Sequence, residues 1–125
     1  NKKGTIIFTG ATASMRGSSG FSAFASAKFG LRAVAQSMAR ELGPKGIHVA
    51  HTVIDGAIDH PWIKENFPDI YKLKKKDGIL KPNEIAQVYL DLHHQKKSVW
   101  THEIDLRAYN DDPWWNTPRN IANSI

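Results

Sequence analysis

The sequence predicts an α/β fold built on a parallel sheet, and three observations carry this. Strand-like and helix-like segments alternate, in the order strand, helix, strand, loop, helix, strand. The first strand run is continuously apolar and β-branched, as in strands buried on both faces. The longest helical segment is rich in alanine and carries small or apolar residues on more than one face, which suits packing between a sheet and another helix.

Each element has its own signal. Gly4–Thr9 is the first strand, and the small, polar stretch from Gly10 to Gly20 is a loop. A helix runs from the Phe21–Phe24 region to Leu42, where Gly43-Pro44 ends it. Phe24, Leu31, Val34, Met38 and Leu42 form its apolar stripe, with Ala33 and Ala39 on the side away from the sheet. Gly46–Ile54 is the second strand. Its His48 and His51 are three apart and so point to opposite faces, a poor arrangement for one shared metal. Asp55-Gly56 turns the chain into a loop through Pro61-Trp62, and the stretch up to Asp77-Gly78 reads as a short helix followed by a mobile segment. Pro82, Asn83 and Glu84 open a second long helix, spanning Asn83–Gln95, with proline and acid at the favourable end. Ser98–Leu106 alternates apolar and polar residues and is the third strand. Residues 1–110 therefore read as one domain, and residues 111–125 as a tail in which Trp114-Trp115 serves as a docking arm.

Composition narrows the function classes. A chain of 125 residues is enough for one small domain. It has no cysteine, hence no disulfide framework and no thiolate nucleophile. No apolar run approaches a membrane span, and the N-terminus leads directly into a strand without a signal-peptide pattern, so the expected location is the cytoplasm. The net charge of +5 collects in Lys72, Lys74, Lys75 and Lys76 and in Lys96 and Lys97. No aromatic residues interleave these lysines as stacking platforms, so they read as solvated faces and not as a nucleic-acid site.

The residues that carry chemistry surround Phe24-Ala25-Ser26-Ala27-Lys28. This segment follows a strand and a glycine/serine loop and opens a long helix, the setting of a Tyr-x-x-x-Lys motif. Lys28-Phe29-Gly30-Leu31 continues it, Ala39-Arg40-Glu41-Leu42-Gly43-Pro44-Lys45-Gly46-Ile47 ends the helix, and Asp55-Gly56-Ala57-Ile58-Asp59 follows the next strand. Together these segments resemble the C-terminal half of the short-chain dehydrogenase/reductase family. The resemblance implies the C-terminal half of a Rossmann-type doubly wound parallel sheet, an NAD- or NADP-dependent oxidoreductase, a small carbonyl or alcohol substrate, and assembly into a homodimer or tetramer through the long helix.

Carried over position by position, the resemblance implies that Lys28 binds the nicotinamide ribose and that Gly56 and Ile58 lie beside the nicotinamide, with the Ile58 backbone on its carboxamide. Asp59 stands where the family often has threonine. Two departures follow. Phe24 occupies the place of the family's catalytic tyrosine, and counting back to the family's serine reaches Ala11, with Ser14 a nearby substitute. Phenylalanine keeps the ring and loses the proton. Ser22, Ser26, Lys28 or an ordered water could serve in place of the missing hydroxyls. The family's glycine fingerprint is not found either: after Gly10 it would need glycine at Ser14 and Arg16. The chain alone is therefore expected not to bind NAD(P) tightly, and no metal site is expected. The readings in play are an oxidoreductase with an altered catalytic site and a non-catalytic relative that binds nucleotide or protein.

Overall fold

A computed structural model describes residues 3–116. Three parallel strands form the sheet: β1 (Gly4–Ala11), β2 (Ile47–Ile54) and β3 (Glu103–Leu106), in the order β1-β2-β3. β1 and β2 pair over their full length, from Gly4 opposite Ile47 to Ala11 opposite Ile54. β3 pairs only with the end of β2, from His51 opposite Glu103 to Ile54 opposite Leu106. The long helix α1 (Ser22–Leu42) links β1 to β2. The short helices α2 (Pro61–Asn66) and α3 (Pro68–Tyr71) follow, and α4 (Pro82–His93) leads towards β3.

The central strand is where the core sits. Every β2 residue except Ile47 is buried, because its IHVAHTVI run has neighbours on both edges and cover on its faces. Val49, Ala50, Val53 and Ile54 supply its apolar side chains, with Ala25 and Ala35 of α1 and Leu92 of α4 also buried. The alanines of α1 are not all equivalent. Ala25 and Ala35 are buried, whereas Ala33, Phe29 and Val34 are exposed. Among the described residues no helix is long and apolar enough to cross a membrane.

The parallel α/β reading holds, with three corrections. β1 continues two residues past Thr9, because Gly10 and Ala11 still pair with Val53 and Ile54. The third strand begins at Glu103, not Ser98. Lys97–Val99 forms a 3₁₀ turn, and the Gln95 side chain occupies Thr101, accepting from its backbone N–H at 2.8 Å and donating to its hydroxyl at 2.8 Å. That local pair competes with a strand ladder. The stretch expected as a short helix and a mobile segment forms α2, α3 and a 3₁₀ turn over Lys72–Lys76, with Ile70 of α3 buried as its anchor.

Candidate active site

At the carboxyl ends of β1 and β2 the backbone turns away into loops, and a cleft of about 550 Å³ opens there. Ala11, the last residue of β1, and Phe24, in the first turn of α1, both line it. Phe21, Trp62, Ile63 and Phe67 add apolar walls, so Phe24 and Trp62 remain about half exposed, at 48% and 55%. Gly56 lines the floor with φ at +148°, a region that glycine tolerates and other residues do not. A Cβ there would also stand 2.9 Å from an Asp111 carboxylate oxygen and 3.2 Å from Leu80.

The structure brings only part of the expected set into the cleft. Ala11, Phe24 and Gly56 line it; Lys28, Ser14, Ile58 and Asp59 do not. The Lys28 ammonium donates to the Thr9 carbonyl at 3.0 Å and lies 5.8 Å from the Phe24 ring centroid. It therefore holds the end of β1 and the start of α1 together from beside the cleft. Ser14 is fully buried, and its Oγ accepts the Ala11 backbone N–H at 2.9 Å. Its hydroxyl faces the interior, where a substrate has no access. Ser26 donates to the Ala23 carbonyl on its own helix. Ile58 forms an isolated parallel bridge with Leu80, through Leu80 N–H to the Ala57 carbonyl and Asp59 N–H to the Leu80 carbonyl. Asp59 is paired with Lys74 at 2.8 Å, and that carboxylate, followed by the Tyr71 hydroxyl, holds the Lys74 ammonium above its ordinary pKa.

Asp55 organises the site more than its place in the sequence suggested. It is 2% exposed at the end of a buried strand, so its charge needs partners. Thr12, another cleft residue, donates its hydroxyl to one carboxylate oxygen at 2.7 Å. Trp114 N–H donates to the other at 2.7 Å, and Arg107 approaches it at 3.6 Å. Trp114 also donates its indole N–H to Asp105 at 3.0 Å, while Arg16 donates to the Trp114 carbonyl at 3.1 Å. The docking-arm expectation falls partly on described residues, where Trp114 is fastened to the strand ends; residues 117–125 lie outside them. Thr12 was not singled out in the sequence. The signal available was a carboxylate directly after a continuous apolar strand, which must find donors from elsewhere in the chain.

Behind the cleft a second polar set crosses the sheet. Arg32 of α1 grips Glu103 of β3 with two hydrogen bonds, of 2.8 and 2.9 Å, and Glu103 also takes the Nδ1 of buried His51 at 3.0 Å. The Arg32 guanidinium holds the Glu103 carboxyl below the usual carboxylate range, with partial burial opposing it and His51 assisting. Among the described residues no group of His, Cys, Asp or Glu is arranged to hold a metal ion.

The family model described as short chain dehydrogenase matches residues 1–69. The chain belongs to the short-chain dehydrogenase family. A short-chain dehydrogenase from Rhodopseudomonas palustris is 52% identical to it, with a TM-score of 0.63 over 86% of this chain and 40% of that one. A short chain oxidoreductase from Pseudomonas aeruginosa PAO1, bound to NADPH and containing an atypical catalytic center, is 21% identical with a TM-score of 0.64, over 82% of this chain and 44% of that one. An alcohol dehydrogenase from the archaeon Thermococcus sibiricus, complexed with 5-hydroxy-NADP, is 23% identical with a TM-score of 0.64, over 87% and 43%. The last two likenesses concern the fold alone. The chain thus spans less than half the length of these relatives, and no curated protein matches it.

Proposed function

We propose that the chain carries the substrate side of the active site of an NAD(P)-dependent oxidoreductase acting on a small carbonyl or alcohol, with altered proton-transfer groups. The observation that carries this reading is the cleft between Ala11 and Phe24 at the carboxyl ends of the strands, where an open parallel sheet takes its ligand. Its aromatic and aliphatic walls suit a substrate with an apolar body.

The residues present fit a nicotinamide dinucleotide. Lys28 keeps two N–H donors beyond its bond to Thr9, available to ribose hydroxyls. The Ile58–Leu80 bridge uses the groups flanking Ile58, which leaves the Ile58 N–H and carbonyl for a carboxamide. Asp59 is matched by Lys74, which offsets the charge that would oppose cofactor phosphates. When bound, the nicotinamide supplies or takes up the hydride.

The chain's own residues orient the substrate. Phe24 offers an apolar face and no proton. Thr12 spends its hydroxyl hydrogen on Asp55 and so presents a lone pair to a substrate hydroxyl. On the same reading the protein is cytoplasmic, forms a homodimer or tetramer through the stretch of α1 that carries Ala33 and Ala39, and has no nucleic-acid partner.

A second reading, a non-catalytic relative that binds nucleotide or a protein, is favoured by one observation: Ala11 and Phe24 carry no hydroxyl and the Ser14 hydroxyl is turned into the core. The experiment is a panel of carbonyl and alcohol substrates given to the full-length protein with NAD(H) and NADP(H), alongside direct cofactor binding. Hydride transfer supports the enzyme. Cofactor binding without turnover supports the second reading, and the absence of both turnover and cofactor binding overturns the enzyme and the nucleotide-binding relative alike.

A further inference from the structure

Beneath the cleft lies a polar chain that the proposed chemistry does not use. His51 is completely buried on β2, its Nδ1 is held by Glu103 at 3.0 Å, and its Nε2 has no hydrogen-bond partner among the described residues. Because Glu103 is ionised and grips Arg32, it accepts from His51, which places a ring proton on Nδ1; in the neutral ring Nε2 then carries a bare lone pair. A buried acceptor without a donor is costly. On the other side stands Ser14, also completely buried, whose Oγ accepts from Ala11 N–H at 2.9 Å and whose hydroxyl proton has still to be donated.

Both groups converge on the bare Cα of Gly10. A Cβ at that position would overlap His51 Nε2 and stand 2.7 Å from Ser14 Oγ and 2.8 Å from the Thr52 carbonyl oxygen. The acceptor that lacks a donor and the hydroxyl that has yet to donate therefore border one small space, kept open by glycine.

We propose that Arg32, Glu103, His51 and Ser14 form one positioning chain, completed when the Ser14 hydroxyl turns onto the His51 Nε2 that is unpaired in this structure, and that it thereby fixes the Ala11–Thr12 turn that lines the cleft. The chain runs from the middle of α1, the helix that carries Phe24 and Lys28, through β3 and β2 to the end of β1. It sets the two walls of the cleft in one register, whatever ligand the cleft takes. Ser14, His51, Glu103 and Arg32 are positioning residues: each acts through the next, and none reaches the cleft itself.

The test is nitrogen NMR of the full-length protein, read at the His51 ring and at the Ala11 amide. The expected result is a proton on Nδ1 and an unprotonated, hydrogen-bonded Nε2. Ser14→Ala should move the Nε2 resonance towards that of an unbonded ring nitrogen while Nδ1 keeps its proton. It should also speed Ala11 amide exchange by about tenfold or more, since the N–H loses its acceptor. Glu103→Gln should speed the same exchange several-fold although Ser14 is intact, and Arg32→Lys serves in its place if that variant does not fold. A proton on Nε2 in the parent, an Nε2 resonance indifferent to Ser14→Ala, or Ala11 exchange unchanged by Glu103→Gln or Arg32→Lys in a folded protein would overturn the proposal.

Discussion

Arg32 and Glu103 meet face to face across 71 positions of sequence, Nε to one carboxylate oxygen at 2.8 Å and a terminal nitrogen to the other at 2.9 Å. The pair ties the middle of α1 to the first residue of β3, the strand with the shortest pairing in the sheet. Two parallel bonds of this kind are stronger than one and fix an angle as well as a distance.

Removing one partner should therefore cost more than a surface ion pair. Arg32→Ala is expected to lower stability by about 1.5–3 kcal/mol, the range for hydrogen bonds to charged groups. Chemical denaturation with the midpoint compared at constant slope checks this; a change within experimental error would mean that solvent replaces the guanidinium freely.

The same pair sets an acid limit. Glu103 has a depressed carboxyl pKa in the folded protein, chiefly because of Arg32. Its contribution is then fully present above the unfolded value, near 4.5, and is lost as pH falls through the lower folded value. The parent should lose stability more steeply than Arg32→Ala on acidification below about pH 4.5. Parallel pH–stability curves for the two proteins would contradict the assignment.

Gly10→Ala should destabilise by about 1–3 kcal/mol, the usual cost of forcing extra volume into a packed interior. The added methyl group meets His51 and the Thr52 backbone, and the backbone cannot swing aside as a flexible side chain would. A thermal melt is sufficient, and an unchanged midpoint would show that the His51 ring has room to withdraw.

Catalytic repair should need two changes. In the full-length protein Phe24→Tyr alone is expected to give no ordinary alcohol dehydrogenase turnover, whereas Phe24→Tyr with Ala11→Ser restores it by at least about tenfold over either single variant. Donors that stabilise one developing charge act as a unit. Robust turnover from Phe24→Tyr alone would remove Ala11 from the argument.

Assembly is tested on the exposed side of α1. Ala33 is exposed and Ala39 partly so, on a helix that buries Ala25 and Ala35. Replacing Ala33 and Ala39 with glutamate should lower the mass measured by light scattering, because an isologous contact repeats each substitution twice. An unchanged mass would move the contact away from this helix.

Much of the fold follows from the sequence alone, because its signals are local. A continuous apolar run, an alanine-rich helix closed by Gly43-Pro44, and Pro82 with Glu84 opening α4 each specify an element without reference to distant residues. The same locality aligned Phe24, Lys28 and Gly56 with a family's motifs. What the tertiary structure decided depends on distant partners. Thr12 finds Asp55 from 43 positions away and Trp114 finds it from 59, so the carboxylate at the cleft floor could not be seen as a junction in the sequence. Lys28 settles on the Thr9 carbonyl, and Ser14 turns inward, where its Oγ accepts the Ala11 N–H. β3 starts late because Gln95 reaches Thr101 first. Periodicity can place a residue on an element and a face. Which polar atom it meets there is decided by packing, because every buried donor and acceptor competes for the partners that the folded chain brings within reach.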